Sequence, residues 1–435
     1  MNSPLGSSIV RLGRRAFWLL LLWGNSLVFI AGAGAQSYLI TDLGTNVIPL
    51  GIAPNGDVVG YVIATNAGQR AFFYTNGVAN TITSPPFFNL NSMANGINSL
   101  GQSVGWTQYS ALPNEYRAFI STNSASLNDL GIQPYFYGIS HWNGAVAIND
   151  ASQIVGTRNY ASDKPRAYLI SGGVTNDLLG APGVDTCSFA GGISQNGAVT
   201  FMSGTSVNLL YAWFQTNGVA VRIPTVPNMT SYASGINDSN QVIGYTETTN
   251  VPSVQQIYYF DGMTVTNIGT VNTNPPFYPY QSYPSLVLGI NNYGQAVGTA
   301  YFTNPPPAGN RPFIYDPTNG LAFLGLPASS GWALESPVGI NDAGQIIANA
   351  ITFSNVQSHA VLLTPALIVN PSSFKCKNGT VTFTVNGING QTVVMQASDD
   401  LMSWVSISTN VIVRGRTTFT DTCATTRFYR AVVQP

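Results

Sequence analysis

The chain has 435 residues, 45% of them hydrophobic and only 8% charged, with a formal net charge of −1. Against a usual charged share of about 25%, its surface must be polar through Asn, Ser, Thr, Gln and Tyr, and its plentiful aromatic and β-branched residues argue against disorder. Nothing in this balance supplies the basic footprint that a nucleic-acid partner requires.

At the N-terminus, Arg11, Arg14 and Arg15 precede an apolar run from Ala16 to Ile30, and the small-residue stretch AGAGA ends at Ala35. That layout marks residues 1–35 as an export signal, either removed or kept as an anchor. The pair Arg14-Arg15 followed by Phe17 faintly resembles a twin-arginine signal. No later stretch reaches the ~20 uninterrupted apolar residues of a spanning helix. The expected location is outside the cell, at its surface or in the periplasm. Once the three signal arginines are set aside, 13 basic and 17 acidic residues leave a net charge of −4. Residues 36–365 hold 7 basic and 14 acidic residues, whereas 366–435 hold 6 and 3, so two modules with different surfaces are expected.

The mature chain opens on SYLITDLG, a single strand with no neighbour in sequence. A pattern then recurs seven times: GIAPNGDVVG from Gly51, GINSLGQSVG from Gly96, AINDASQIVG from Ala147, GISQNGAVTF from Gly192, GINDSNQVIG from Gly235, GINNYGQAVG from Gly289 and GINDAGQIIA from Gly339. Spacings of this order belong to repeat architectures such as propellers. Within each copy an apolar strand ends at Ile, a polar tetrad turns the chain, and a Val/Ile-rich strand returns. Gly56, Gly101, Gly197, Gly294, Gly344 and Asn240 stand where a hairpin with a bulge needs positive φ, and Ser152 is the poor fit. The motif therefore reads as a tight turn and not a phosphate loop. Asp150, Asp238 and Asp342 share one position, but the other copies place Pro54, Ser99, Gln195 and Asn292 there, so a repeated metal site is not expected.

An aromatic strand follows each hairpin: RAFFY, RAFIS, RAYLI, YAWFQ, QIYYF, RPFIY and HAVLL. A tight turn and a fourth strand come after six of them. Each repeat thus reads as four short strands, a propeller blade. The sequence GINDxGQVVG, with an H/R-A-F-x-Y strand and a T-D-L-G strand, resembles the extracellular HAF-type repeat of bacterial secreted proteins over residues 37–365. Only His359 keeps the His, four copies carry Arg, and Phe201 and Ala348 replace the closing Gly. The resemblance implies an exported repeat protein and no chemistry. The seventh copy ends at Pro365 without a fourth strand, and SYLITDLG has the character of the missing one. The expected fold is all-β: a seven-bladed β-propeller over residues 36–365, closed by its N-terminal strand, then a small β-sandwich over 366–435.

In the C-terminal region, alternating strands around Trp404 suggest the sandwich, and ASxDLxxW…FxD…FYRA resembles C-terminal modules on secreted proteins of Verrucomicrobia-like bacteria. Cys376 and Cys423 lie near its two ends and are expected to form a disulfide in an oxidising compartment, leaving Cys187 as a buried thiol. An accessory or surface-attachment unit and a passive cap are both readings of this module.

Function in such frames lives in long loops. Connections between blades, and between second and third strands, are long here and share one face. They concentrate Phe87, Phe88, Tyr135, Tyr137, Trp142, Tyr278, Tyr280 and Tyr283 beside Asn and Gln amides, a composition that suits the C–H faces and hydroxyl edges of sugars. These eight are the candidate binding residues, with a polysaccharide or cell-surface glycan as ligand; the alternative is that they pack the loops onto the blades. No cofactor, metal site or catalytic residue is assigned, and a monomer is expected. The mature chain has two His, His141 and His359, with no nucleophile elbow near either. Glycoside hydrolysis or a lyase reaction is the enzymatic alternative, with Glu115, Glu247 and Glu335 in loops of the favoured face. Arg70, Arg117, Arg166 and Arg311 are equivalent. Either they form a partial guanidinium ring for an anionic polysaccharide, or each pairs with a local Asp such as Asp42, Asp129 or Asp177, the second being favoured.

Overall fold

The computed structural model describes residues 8–11, 19–21, 38–64, 68–83, 91–108, 116–122, 126–132, 144–161, 164–225, 229–248, 254–272, 289–302, 309–354, 357–370, 373–422 and 427–434. The protein is all-β. Among these residues there is no α-helix, and no helix long and apolar enough to cross a membrane; a short 3-10 turn lies at Ala328–Ser330.

Seven four-stranded antiparallel sheets follow one another along the repeats. The first consists of Val47–Ile52, Val58–Ala64, Gly68–Thr75 and Val78–Thr81, paired in chain order. Sheets two to six repeat this order, each strand pairing with its neighbour in sequence. In the seventh, Trp332–Ile340, Ile346–Thr352 and Ser358–Pro365 take their fourth strand from the start of the chain, Tyr38–Thr45. Tyr38 faces Pro365 and Thr45 faces His359 across that pairing.

The hairpin register is constant because the turn is constant. In the second sheet Ile97 pairs with Ser103, and in the seventh Ile340 pairs with Ile346, leaving the same five residues between. The last turn residue adopts positive φ in the second copy (Gly101, 73°) and equally in the third, where Ser152 sits at 56° without being glycine. A bulge precedes the turn in six sheets and swings the strand toward its neighbour. There the first Gly of the motif is needed, because a Cβ on Gly96 would lie 2.9 Å from Ala147 Cα in the next sheet, and one on Gly289 would lie 2.8 Å from Gly339 Cα.

Apolar cores lie between consecutive sheets. Phe73 and Ile82 of the first pack with Ala94, Phe119 and Leu127 of the second, and Val297 and Leu324 of the sixth with Ile340 and Ile346 of the seventh. The last sheet also packs on the first: Leu43, Val338, Ile347 and Leu362 share a core with Val47, Val58 and Phe72. Buried serines tie neighbouring sheets together at the start of the first strands, the end away from the turn. Ser92 Oγ accepts the Ala71 amide at 2.9 Å, Ser188 that of Ala167 at 2.9 Å and Ser231 that of Ala212 at 2.8 Å. Each buried large apolar side chain adds about 1.5–3 kcal/mol, so every junction contributes.

The C-terminal strands form two sheets across one core of Val381, Phe383, Val385, Val393, Met395, Phe419 and Tyr429. Trp404 is half-buried, outside that core. Its indole N–H donates to Leu401 O at 3.2 Å and Arg430 lies 4.3 Å above its ring. Phe374 packs on that core, stacked on Phe383 at 4.4 Å. The ASxDLxxW run is a turn: Ser398 Oγ accepts the Leu401 amide, and Asp400 accepts those of Met402 and Ser403, each at 2.8 Å. Two short strands from the first 35 residues, Ser8–Arg11 and Leu19–Leu21, extend one of these sheets alongside Phe428–Val433. Cys376 is disulfide-bonded and Cys187 is a free, buried thiol; Cys423, the expected partner, lies outside the described residues.

Candidate functional site

The seven GINDxGQ turns join the first and second strands of each sheet, and their polar side chains hold the sheets to one another. Asn98, Asn149, Asn237, Asn291 and Asn341 are at most 5% exposed. Each amide oxygen accepts the backbone N–H of the Gln four residues on, at 2.9–3.0 Å. Each amide nitrogen donates to that same Gln's Oε1, at 2.7–3.0 Å. Its other hydrogen crosses to the next sheet: Asn98 to Asn149 O at 3.0 Å, Asn149 to Ser194 O at 3.0 Å, Asn237 to Asn291 O at 2.9 Å and Asn291 to Asn341 O at 3.1 Å. Asn341 reaches Ala53 O in the first sheet at 3.0 Å, across 288 positions of sequence. An Asn with a Gln four residues later is therefore a staple, and its donors and acceptor are all engaged.

The next position forms a second series. The Ser99 amide donates to Asp150 Oδ1 at 2.8 Å, the Asp150 amide to Gln195 Oε1 at 2.8 Å, and the Gln195 amide to Asp238 Oδ1 at 2.7 Å. The Asp238 amide then donates to Asn292 Oδ1 at 2.9 Å, and the Asn292 amide to Asp342 Oδ1 at 2.7 Å. The three aspartates that share this position thus act as acceptors between sheets. Pro54 ends the series, since it has neither a side-chain acceptor nor an N–H. In the fourth copy Ser194 replaces Asn, and Asn196 takes over by donating to Asp238 O at 2.7 Å.

Three of the equivalent arginines meet groups of their own sheets: Arg70 donates to Gln69 O at 3.1 Å, and Arg117 and Arg311 contact side chains. Arg117 pairs with Asp129 at 2.8 Å. Asp42 pairs with His359 at 3.1 Å rather than with an arginine, and Asp177 pairs with Arg158 at 2.6 Å rather than with Arg166. Arg311 lies 5.0 Å over Phe323, and in the fourth sheet the polarity reverses, with Arg222 3.5 Å over Tyr211. In all seven sheets the third residue of the H/R-A-F triplet pairs with the fourth-strand residue concerned, so the first is its diagonal neighbour. His359 also meets Trp332 edge-on at 5.0 Å.

All eight aromatic candidates, Phe87, Phe88, Tyr135, Tyr137, Trp142, Tyr278, Tyr280 and Tyr283, lie outside the described residues, as do His141 and Glu115. Of the other acids, Glu247 ends a strand of the fifth sheet opposite Thr230, and Glu335, in the seventh, accepts from Ser358 Oγ at 3.4 Å. The structure keeps these two carboxylates in different sheets. Beside Glu247, Tyr232 stacks on Tyr245 at 4.4 Å with ring planes 13° apart. Burial and then the Glu247 charge push the Tyr232 phenol up to about 12.

Fold and turns together define an all-β repeat protein of propeller-like architecture. No family model and no curated protein matches the chain. Among solved structures it is similar to YCF48 from Cyanidioschyzon merolae (8% identity, 76% of this chain and 98% of that one, TM-score 0.43). It is similar also to a putative TolB from Agrobacterium tumefaciens (10% identity, 62% and 91%, TM-score 0.37) and to the Aleuria aurantia lectin in complex with Fucalpha1-6GlcNAc (9% identity, 65% and 97%, TM-score 0.37).

Proposed function

We propose that the chain is a secreted seven-bladed β-propeller, closed by its N-terminal strand and followed by a β-sandwich module, that binds a glycan at the cell surface without catalysis. One observation carries the reading. The repeated polar signature is engaged in hydrogen bonds between and within sheets, so the turn face is architecture. What varies from repeat to repeat, in length and in aromatic content, leaves from the other end of the strands. The exchange of the fourth strand in the seventh sheet, and the core that sheet shares with the first, support closure. Stacking of a sugar on Tyr or Phe with amides at its rim needs no titrating group, in keeping with loops so poor in charge.

A glycan array probed with the purified protein tests this reading. Binding to a polysaccharide class is expected, with a Tyr278→Ala/Tyr280→Ala/Tyr283→Ala variant losing most of it while melting as the parent does. A protein that gives no signal on the array, or one whose binding survives removal of aromatics from all three loops, would count decisively against it.

A further inference from the structure

The C-terminal module returns to the turn face and rests on it. Two of its turns make the contact. The Asn389 amide donates to Ala343 O in the seventh sheet's turn at 3.2 Å, and its side-chain nitrogen lies 3.4 Å from Oε1 of Gln295, the staple Gln of the sixth sheet. Gly387-Ile388-Asn389-Gly390-Gln391 is itself a shortened copy of the repeat's turn sequence, with Gly390 at φ 80°. In the second turn Arg414 reaches Thr318 Oγ1 and Arg416 reaches Asn319 Oδ1. Arg414 also lies 3.9 Å from Asp316, whose side chain is only 9% exposed. A carboxylate so nearly buried is costly unless compensated. Asp316 accepts the amides of Thr318 and Asn319 at 2.8 and 3.0 Å, and the guanidinium supplies the opposite charge.

We infer that the module is an electrostatic clamp on the turn face. Its Asn389 and Arg414–Arg416 turns bridge the sixth and seventh sheets beside the strand exchange, and so hold that face covered. The charge balance fits, because six basic and three acidic residues of the module meet a repeat region with 7 and 14. A tethered, independent bead would have no reason to place arginines against a buried aspartate. The clamp also sets orientation: whatever the module is attached to, the loop end of the sheets points away from it. This holds whether or not the loops bind sugar.

Disulfide trapping in the full chain tests it. Ala343→Cys with Asn389→Cys should form an intramolecular disulfide readily under mild oxidation, several-fold more slowly at 1 M salt, where the Debye length falls to about 3 Å. Ala343→Cys with Met402→Cys should stay reduced, since Thr392–Ser398 separates the two turns by roughly 20 Å. In the unsubstituted chain the Asn389 amide should exchange slowly with solvent, and Arg414→Glu/Arg416→Glu should speed that exchange. Equal trapping of both cysteine pairs, or rapid exchange at Asn389 in the parent, overturns the clamp. Trapping that ignores both salt and charge reversal overturns its electrostatic basis.

Discussion

Asn291 shows what one residue does for this protein. It accepts the amides of Tyr293 and Gln295 and donates to Gln295 Oε1 and Asn341 O, all from a site only 3% exposed. Asn291→Ala strands those partners without water, so a loss of about 2–4 kcal/mol is expected in chemical denaturation. The same logic runs in reverse at Ala53, which stands where five other copies place Asn. Ala53→Asn supplies a missing donor toward the second sheet and should gain up to about 1 kcal/mol. A stabilising Asn291→Ala would refute the staple.

Buried phenols set the pH limit. Desolvation raises Tyr168, Tyr258 and Tyr245, and pushes Tyr232 from 10.0 to about 12. Their contribution is complete below the unfolded value of about 10. From there to pH 12 the unfolded chain releases protons that the folded chain keeps, so stability falls as pH rises, by about 1.4 kcal/mol per pH unit for each such phenol. Tyrosinate absorbance should therefore appear together with loss of strand signal in circular dichroism; tyrosines ionising while the sheets persist would contradict this.

At the scale of the element, the decisive piece is Tyr38–Thr45. It buries Tyr38 and Leu43, each 4% exposed, and covers one whole edge of Ser358–Pro365. Deleting Tyr38–Gly44 removes two buried side chains at about 1.5–3 kcal/mol each and bares a strand edge beside the first sheet. The melting temperature should drop by about 10 °C or more, on roughly 2–4 °C per kcal/mol. An unchanged melt would mean that the strand is a loose end. The strands themselves were legible in sequence because they alternate and are punctuated by Gly and Asn. The arginine pairs were legible in kind and half legible in detail. Asp177 meets Arg158, which sits on the second strand directly opposite Arg166 of the third, so two cations stand on neighbouring strands and the sequence did not decide between them.

For the whole molecule, the hydrogen-bond series in the turns assigns the two ends of the sheets different tasks. One end carries the Asn and Asp series and receives the C-terminal module; the other carries the buried serine links and the long connections. Loop length and composition in the sequence indicated which end was which, and the turn chemistry explains why. What the motif's Asn and Gln do was not legible, because their partners in the next sheet sit 42 to 54 residues away, or 288 at the last junction. The i,i+4 recurrence of Asn and Gln was the available signal.

The repeat, its four strands, the tight turns and the orphan first strand follow from sequence alone, since period, turn residues and strand alternation are local properties of the chain. Only the tertiary structure decided which side chains cross between sheets, which acid faces which cation and where the C-terminal module rests. Those choices depend on distances between segments far apart in the chain, which are set when the sheets pack.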